Sequence, residues 1–358
     1  MSFKNNGIII LLGAGCSADA GIPTSMEMIG EIETLISKGS EEDNFKWSEY
    51  KALYNCIKSS ILYGEGIRGA FEHNANYNIE KLVNTLSELN RRDDHPLFPF
   101  VGTWTTKLLE VAGSDFNKIK SLRENILKKL KAWVTISDYG KANYYSCLFK
   151  FQNEFNFPFR VFSLNYDLCL EKHIGESILE RGFDENREWN WRRFEDNENA
   201  SVDIYLYKMH GSIDWDRRSD GILTYSDEIA QIPQPDLIFG TNYKLQYIDP
   251  YLFYAYEFRR YTLESQLIVT IGYGFGDEHI NGIIQQSLRT DPKRIIFCIT
   301  KAEDKFWDEK QKQIFHSLYN INRDQIIMWN MSAKSFLITK LSINELRQII
   351  PEEENLIK

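Results

Sequence analysis

Four short clusters carry residue types able to do chemistry on a polar ligand. Asn165-Tyr166-Asp167 joins an amide to a carboxylate, and His210-Gly211-Ser212 offers an imidazole that titrates near neutral pH. An amide donates and accepts hydrogen bonds without adding charge, whereas an imidazole can take a proton as a general base. Gly13-Ala14-Gly15-Cys16-Ser17 and Gly272-Tyr273-Gly274-Phe275-Gly276-Asp277 form glycine-permitted turns. A glycine turn between strand and helix lets a phosphate approach main-chain N–H groups. The first turn is not G-x-G-x-x-G, because Ala18 stands where the last glycine would be, and it lacks the Gly-Lys-Ser/Thr of a P-loop. Taken singly, each cluster has a plainer explanation as a tight βα turn, a capping Asn or a core His.

The surrounding pattern explains how they could act together. Residues 8–12 read as a buried strand running into the first glycine turn, and residues 24–37 as a helix with Met28, Ile32, Leu35 and Ile36 on one face. Residues 40–155 are read as a largely helical insertion. Its apolar residues recur at three- and four-residue steps, as in Tyr54-Ile57-Ile61, Leu82-Leu86-Leu89 and Ile119-Leu122-Ile126-Leu130. After Pro158, apolar runs at 159–163, 204–209, 237–240, 267–272, 295–299 and 326–329 alternate with helical patterns at 278–289, 306–318 and 335–349. This alternation predicts an α/β fold, a Rossmann-like doubly wound parallel sheet with the helical insertion. Residues 185–202 are polar and aperiodic and read as a long loop, and Asp214-Trp215 as a continuation of the His-Gly strand. The expected organisation is 1–39 and 156–358 as two parts of one domain, with 40–155 inserted. In such a sheet the clusters at strand carboxyl ends converge on one crevice.

Composition narrows the class. The 358 residues carry Lys+Arg 42 against Asp+Glu 51, a net charge of −9, which argues against a nucleic-acid-coating surface. The short basic pairs Arg192-Arg193, Arg217-Arg218 and Arg259-Arg260 read as solvated faces. The run Ile8-Ile9-Ile10-Leu11-Leu12 is far short of the ~20 residues that a membrane span requires, and it lacks the flanks of a secretory signal. Five scattered cysteines without a C-x-x-C pair fit reduced thiols in a cytoplasm and give no cysteine zinc site. His279 has no second His or Cys at ligand spacing and reads as a helix-start residue.

The motifs in their order resemble the sirtuin family. Gly13-Ala14-Gly15-Cys16-Ser17 with Gly21-Ile22-Pro23 resembles its first NAD-binding motif, Asn165-Tyr166-Asp167 its Asn-x-Asp, and His210-Gly211 its His-Gly. The segments 164–167, 209–215 and 271–277 are closer still to the zinc-free sirtuin-like domains of bacterial anti-phage defence systems. Thr24-Ser25-Met26 stands where deacylases carry Asp-Phe-Arg, and the paired C-x-x-C module is missing.

The resemblance implies an NAD⁺ hydrolase releasing nicotinamide and ADP-ribose, with NAD as substrate and no zinc. It implies Asn165 and His210 as catalytic residues and Asp167 as an acceptor from the nicotinamide carboxamide. Gly13, Ala14, Gly15 and Ser17 would cradle the pyrophosphate, Gly21 and Ile22 would complete the same cofactor-binding motif, and Gly272, Tyr273, Gly274 and Phe275 would border the adenosine half. It also implies a homo-oligomer and a separate partner chain, either a HerA-type ATPase or a short Argonaute-related protein. The helices of 40–155 and the segment 247–261 are candidate contact surfaces. Protein deacylation, ADP-ribosyl transfer or non-catalytic NAD or ADP-ribose binding are the other readings of the same motifs.

Overall fold

The structure, a computed structural model, describes residues 3–67, 77–90, 106–113, 116–175, 177–195, 202–239 and 248–350. It divides into two compact units. One comprises Met1–Ile22 with Thr135–Lys358, the other Pro23–Val134. Helix Ser25–Lys38 therefore groups with the helical residues that follow it, and residues 135–155 with the sheet.

The first unit is built on a seven-stranded parallel sheet. Its strands are β1 (Ile8–Leu12), β2 (Phe159–Ser163), β3 (Leu179–Glu180), β4 (Ile204–Lys208), β5 (Leu267–Ile271), β6 (Ile295–Thr300) and β7 (Ile326–Asn330). Their spatial order is β7-β6-β5-β1-β2-β4-β3. β1, β2, β4, β5 and β6 are buried along their whole length, as expected where helices cover both faces of a parallel sheet. This is the expected Rossmann-like architecture. The order turns back at β1, which pairs with β2 on one side and β5 on the other.

The aromatic residues fill the interior under the helix Tyr251–Glu264. Phe162 stacks on Tyr207 at 4.5 Å, and Tyr207 on Phe194 at 4.6 Å. Tyr254, Phe258 and Tyr261 complete that cluster from the helix. Of the contact surface expected at 247–261, the buried face is therefore core, only Leu252 and Tyr256 of its large apolar side chains are exposed, and residue 247 lies outside the described residues.

Several expected elements differ. The run 237–240 is no strand in its described part. Leu237 makes one bridge to Gly211, and Ile238 donates its N–H to the His210 carbonyl, so the run serves to brace the His210 turn. Residue 240 lies outside the described residues. The expected helix 335–349 is two helices, Ala333–Thr339 and Ile343–Ile349, because the Ser342 hydroxyl caps the second by accepting from the Glu345 N–H. Asp214-Trp215 does not continue β4. Gly211 turns the chain with φ +88°, and Trp215–Arg217 then pairs with Leu223–Tyr225 in an antiparallel ribbon. Within the loop expected at 185–202, a 3-10 turn at Trp191–Phe194 buries Phe194; residues 196–201 lie outside the described residues.

The second unit is helical, with helices Ser25–Lys38, Lys51–Ile67, Ile79–Asn90, Thr106–Ala112 and Asn117–Val134. Met28, Ile32, Ile57, Leu82, Leu86, Ile119, Leu122, Ile126 and Leu130 are buried at the predicted spacing. Thr24 starts the first helix with a capping box, its side chain reciprocated by Glu27. Among the described residues, no helix is long and apolar enough to cross a membrane.

Candidate active site

Register brings the four clusters to one edge of the sheet. Leu12 pairs with both Ser163 and Ile271, and Ser163 pairs with Lys208. The carboxyl ends of β5, β1, β2 and β4 are thus consecutive and level. At about 4.8 Å between strands they span roughly 14 Å. Gly272, Gly13, Asn165 and His210 each follow one or two residues beyond that line. The Leu164 and Met209 N–H groups extend the ladder by donating to the Leu12 and Ser163 carbonyls.

The glycines permit backbone to lie on backbone. The Gly15 N–H donates to the Gly272 carbonyl at 2.9 Å, and the Gly13 N–H to the Ile271 carbonyl at 3.0 Å. A Cβ on Gly13 would sit 2.6 Å from the Tyr273 Cα. The Cys16 and Ser17 N–H groups donate to the Gly13 and Ala14 carbonyls, closing a 3-10 turn. Four N–H groups of the loop 13–17 are therefore spent inside the protein. This narrows the cradle expected there: the Ala14 N–H and the open side of the turn are what a pyrophosphate would meet first. The chain also passes through two 3-10 turns, Ala14–Cys16 and Ala18–Ala20, before any α-helix. Gly21, at φ +92°, and Ile22 close the second, where the Ile22 N–H donates to the Ser17 carbonyl.

Ser17 turns inward to the centre of a buried network. Its Oγ donates to Asp167 Oδ2 at 2.7 Å and lies 2.7 Å from the Tyr145 hydroxyl and 3.2 Å from Asn165 Nδ2. Asp167 accepts, so the one Ser17 proton goes there, and both Tyr145 and Asn165 must donate to Ser17 Oγ. Burial pushes the Tyr145 hydroxyl well above its ordinary pKa, followed by the nearby Cys16 and Asp167, which keeps it the donor. That direction also fixes the Asn165 amide with its nitrogen toward Ser17. Its carbonyl oxygen is left buried without a partner among the described residues, on a residue only 7% exposed. Asp167 Oδ1 meanwhile accepts from the Cys169 N–H at 3.0 Å. The carboxylate therefore already binds inward with both oxygens, and a nicotinamide amide would share it. Cys16, fully buried beside this network, has its thiol pushed up to about 12 by burial and is a poor nucleophile.

Tyr145 lies outside every sequence motif, and Asp277 closes one of them without a role assigned to it there, yet each contacts a proposed site residue. Replacing Tyr145 by Phe is expected to cost about 1 kcal/mol, one hydrogen bond, because Ser17 keeps its two other partners. Urea unfolding of the variant measures it; a loss of about 3 kcal/mol or more would mean that the network collapses as a unit.

His210, 2% exposed, lies on the neighbouring strand end. Its Nε2 is 3.1 Å from Asp277 Oδ2, and its ring centroid is 6.3 Å from that of Tyr166, which sits between Asn165 and Asp167. Asp277 also caps the helix Glu278–Thr290 by accepting from the His279 and Ile280 N–H groups. The Tyr273 hydroxyl donates to Asn281 Oδ1 at 2.8 Å, and its ring packs 4.6 Å from that of Phe275. Both rings are buried, so what the 272–275 turn exposes is main chain, at Gly274.

A cavity of about 290 Å³ has His210 on its wall and is lined mainly by Met209, Leu252, Ala255, Ile280 and Ile283, with Arg259 and His279 also on its wall. None of the residues of the Ser17 network lines it. At the end of β4, Lys208 donates to the Asp167 carbonyl and pairs with Glu171 at 3.1 Å. Asp214 pairs with Arg181, a structural use of that carboxylate.

Residues 160–322 match the family model of the SIR2-like domain. Among solved structures the chain is similar to a Sir2 homologue in complex with NAD, at 12% identity and TM-score 0.44, covering 95% of this chain and 89% of that one. It is also similar to a mutant of Sir2 homologues in complex with 2'-O-acetyl ADP ribose, at 12% identity and TM-score 0.43, covering 97% and 94%. No curated protein matches the chain.

Proposed function

From a SIR2-like domain at residues 160–322, we propose that this chain hydrolyses NAD⁺ to nicotinamide and ADP-ribose. The observation that carries this reading is the Asn165 carbonyl oxygen, buried, held in place by Ser17 and lacking a partner among the described residues. Leaving such an acceptor unsatisfied costs about 1–3 kcal/mol, so a ligand hydroxyl or a water is its natural occupant. Cleavage of the nicotinamide–ribose bond leaves positive charge on the ribose and requires water at C1′. Asn165 would accept from a ribose hydroxyl or from the attacking water, and His210 would take the proton that the water gives up. Asp167 would orient the nicotinamide carboxamide. The turns 13–17 and 272–275, adjacent in the sheet, would border the remainder of the dinucleotide at the point where strand order reverses.

Incubation with NAD⁺ and chromatographic identification of products tests this. Equimolar nicotinamide and ADP-ribose are expected without any added acceptor. The cavity beside His210 favours a second reading, transfer to an acceptor: water needs no apolar chamber of that size, whereas an acyl or aromatic group would fill one. Nicotinamide release that depends on an added acylated peptide would decide for it.

The motif resemblance further supports a toxic role in anti-phage defence. In this proposal the chain depletes cytoplasmic NAD⁺ as a homo-oligomer restrained by a separate partner chain, a HerA-type ATPase in preference to a short Argonaute-related protein.

A further inference from the structure

We propose that Asp277 is the positioning residue for His210, holding its ring as the Nε2–H tautomer so that Nδ1 is the nitrogen that accepts a proton. This deepens, and rests on, the NAD⁺-hydrolase reading. The geometry begins with the 3.1 Å contact between His210 Nε2 and Asp277 Oδ2, both residues being more than nine-tenths buried. Asp277 is itself immobilised. Its other oxygen accepts from the His279 and Ile280 N–H groups at 3.0 and 3.4 Å. The N-terminus of a 13-residue helix favours negative charge at this position. A carboxylate only accepts, so in neutral His210 the proton sits on Nε2 and the lone pair on Nδ1.

The contact therefore does two things that neither residue could do alone. It selects one tautomer of the base, and it places a counter-charge where an imidazolium forms once the proton arrives. The link also couples β4 to the turn after β5. The base is thus oriented by the same turn that borders the crevice on its other side.

Asp277→Asn separates this role from capping, because Asn caps a helix about as well as Asp. The first measurement is imidazole ¹⁵N NMR of histidine-labelled protein, with His210→Ala identifying the signals. Nε2–H is expected for His210 in the wild type and a shift toward Nδ1–H or a mixture in Asp277→Asn. This readout stands whether or not NAD⁺ is cut, so failure of the hydrolase reading, seen as no nicotinamide from the wild type, is distinguishable from failure of the positioning role. The second measurement is the rate of nicotinamide release. A fall in kcat of about tenfold to a hundredfold is expected, with KM within about twofold.

Arg259, His279, Tyr251 and Tyr256 share the cavity wall with His210, and Tyr166 faces its ring; all are retained in the variant. Nδ1–H in the wild type, or an Asp277→Asn protein with unchanged tautomer and rate, would overturn the assignment.

Discussion

Asn165→Ala protein is expected to fold about as stably as the wild type and to release nicotinamide about 10²- to 10³-fold more slowly. The two halves of this expectation come from the same amide. Its nitrogen donates one hydrogen bond, to Ser17, at 3.2 Å, and Ser17 retains Tyr145 and Asp167 when that bond is lost. The loss is about 1 kcal/mol. Its oxygen has no partner among the described residues, so removing it relieves a buried unsatisfied acceptor, an effect of similar size and opposite sign. Catalysis has no such compensation. A fixed polar group aimed at a reacting centre contributes about 10²- to 10³-fold, as when one donor of an oxyanion hole is deleted. Thermal or urea unfolding and product release from the same preparation measure both. Full turnover by folded Asn165→Ala protein would falsify the assignment.

Gly272→Ala is expected to destabilise the sheet unit by more than about 3 kcal/mol or to leave it insoluble. Residue 272 has φ +65°, where an L side chain is strained by about 1–2 kcal/mol. Steric overlap adds the greater part. An added Cβ would lie 2.1 Å from the Cys16 nitrogen and 2.3 Å from the Gly15 carbonyl carbon. Both are main-chain atoms in a turn held by its own hydrogen bonds, so the two loops must part and lose the bond from the Gly15 N–H to the Gly272 carbonyl. Gly274→Ala is the control two residues on. It has open space around its Cα and an ordinary φ, so its effect should remain within about 0.5 kcal/mol. Equal unfolding midpoints for the two variants would show that the loops part at no cost.

These two outcomes bear on what the motifs mean. Gly13 and Gly15 look, in the sequence, like provision for a phosphate, and Gly272 like a border for the adenosine half. In the structure their first use is to let the turns after β1 and β5 touch, with most of the N–H groups of the 13–17 loop already engaged. Both uses require the same absence of side chain, so spacing alone does not separate them. Ser17 is similar. A hydroxyl beside a glycine turn reads as a ligand contact, but this one is fully buried and organises Asn165 and Asp167 from behind.

The strands that position the site were legible because they are continuous apolar runs, and a run buried on both faces has one architecture available to it, the covered parallel sheet. β3 was not legible: two residues, Leu179–Glu180, give no periodic signal, and only pairing with β4 makes them a strand. The break between the helices Ala333–Thr339 and Ile343–Ile349 was hidden by apolar residues that keep helical spacing across it.

By itself the chain's sequence determined most of the element types, their order and the residues placed at strand ends, since each follows from local periodicity and side-chain chemistry. Tertiary structure decided the partners. Tyr145 reaches Ser17 across 128 residues, and Asp277 reaches His210 across 67. Which groups meet at those distances is set by strand order and register, so the direction of the Asn165 amide and the oriented face of His210 became readable only once the sheet had placed its strand ends side by side.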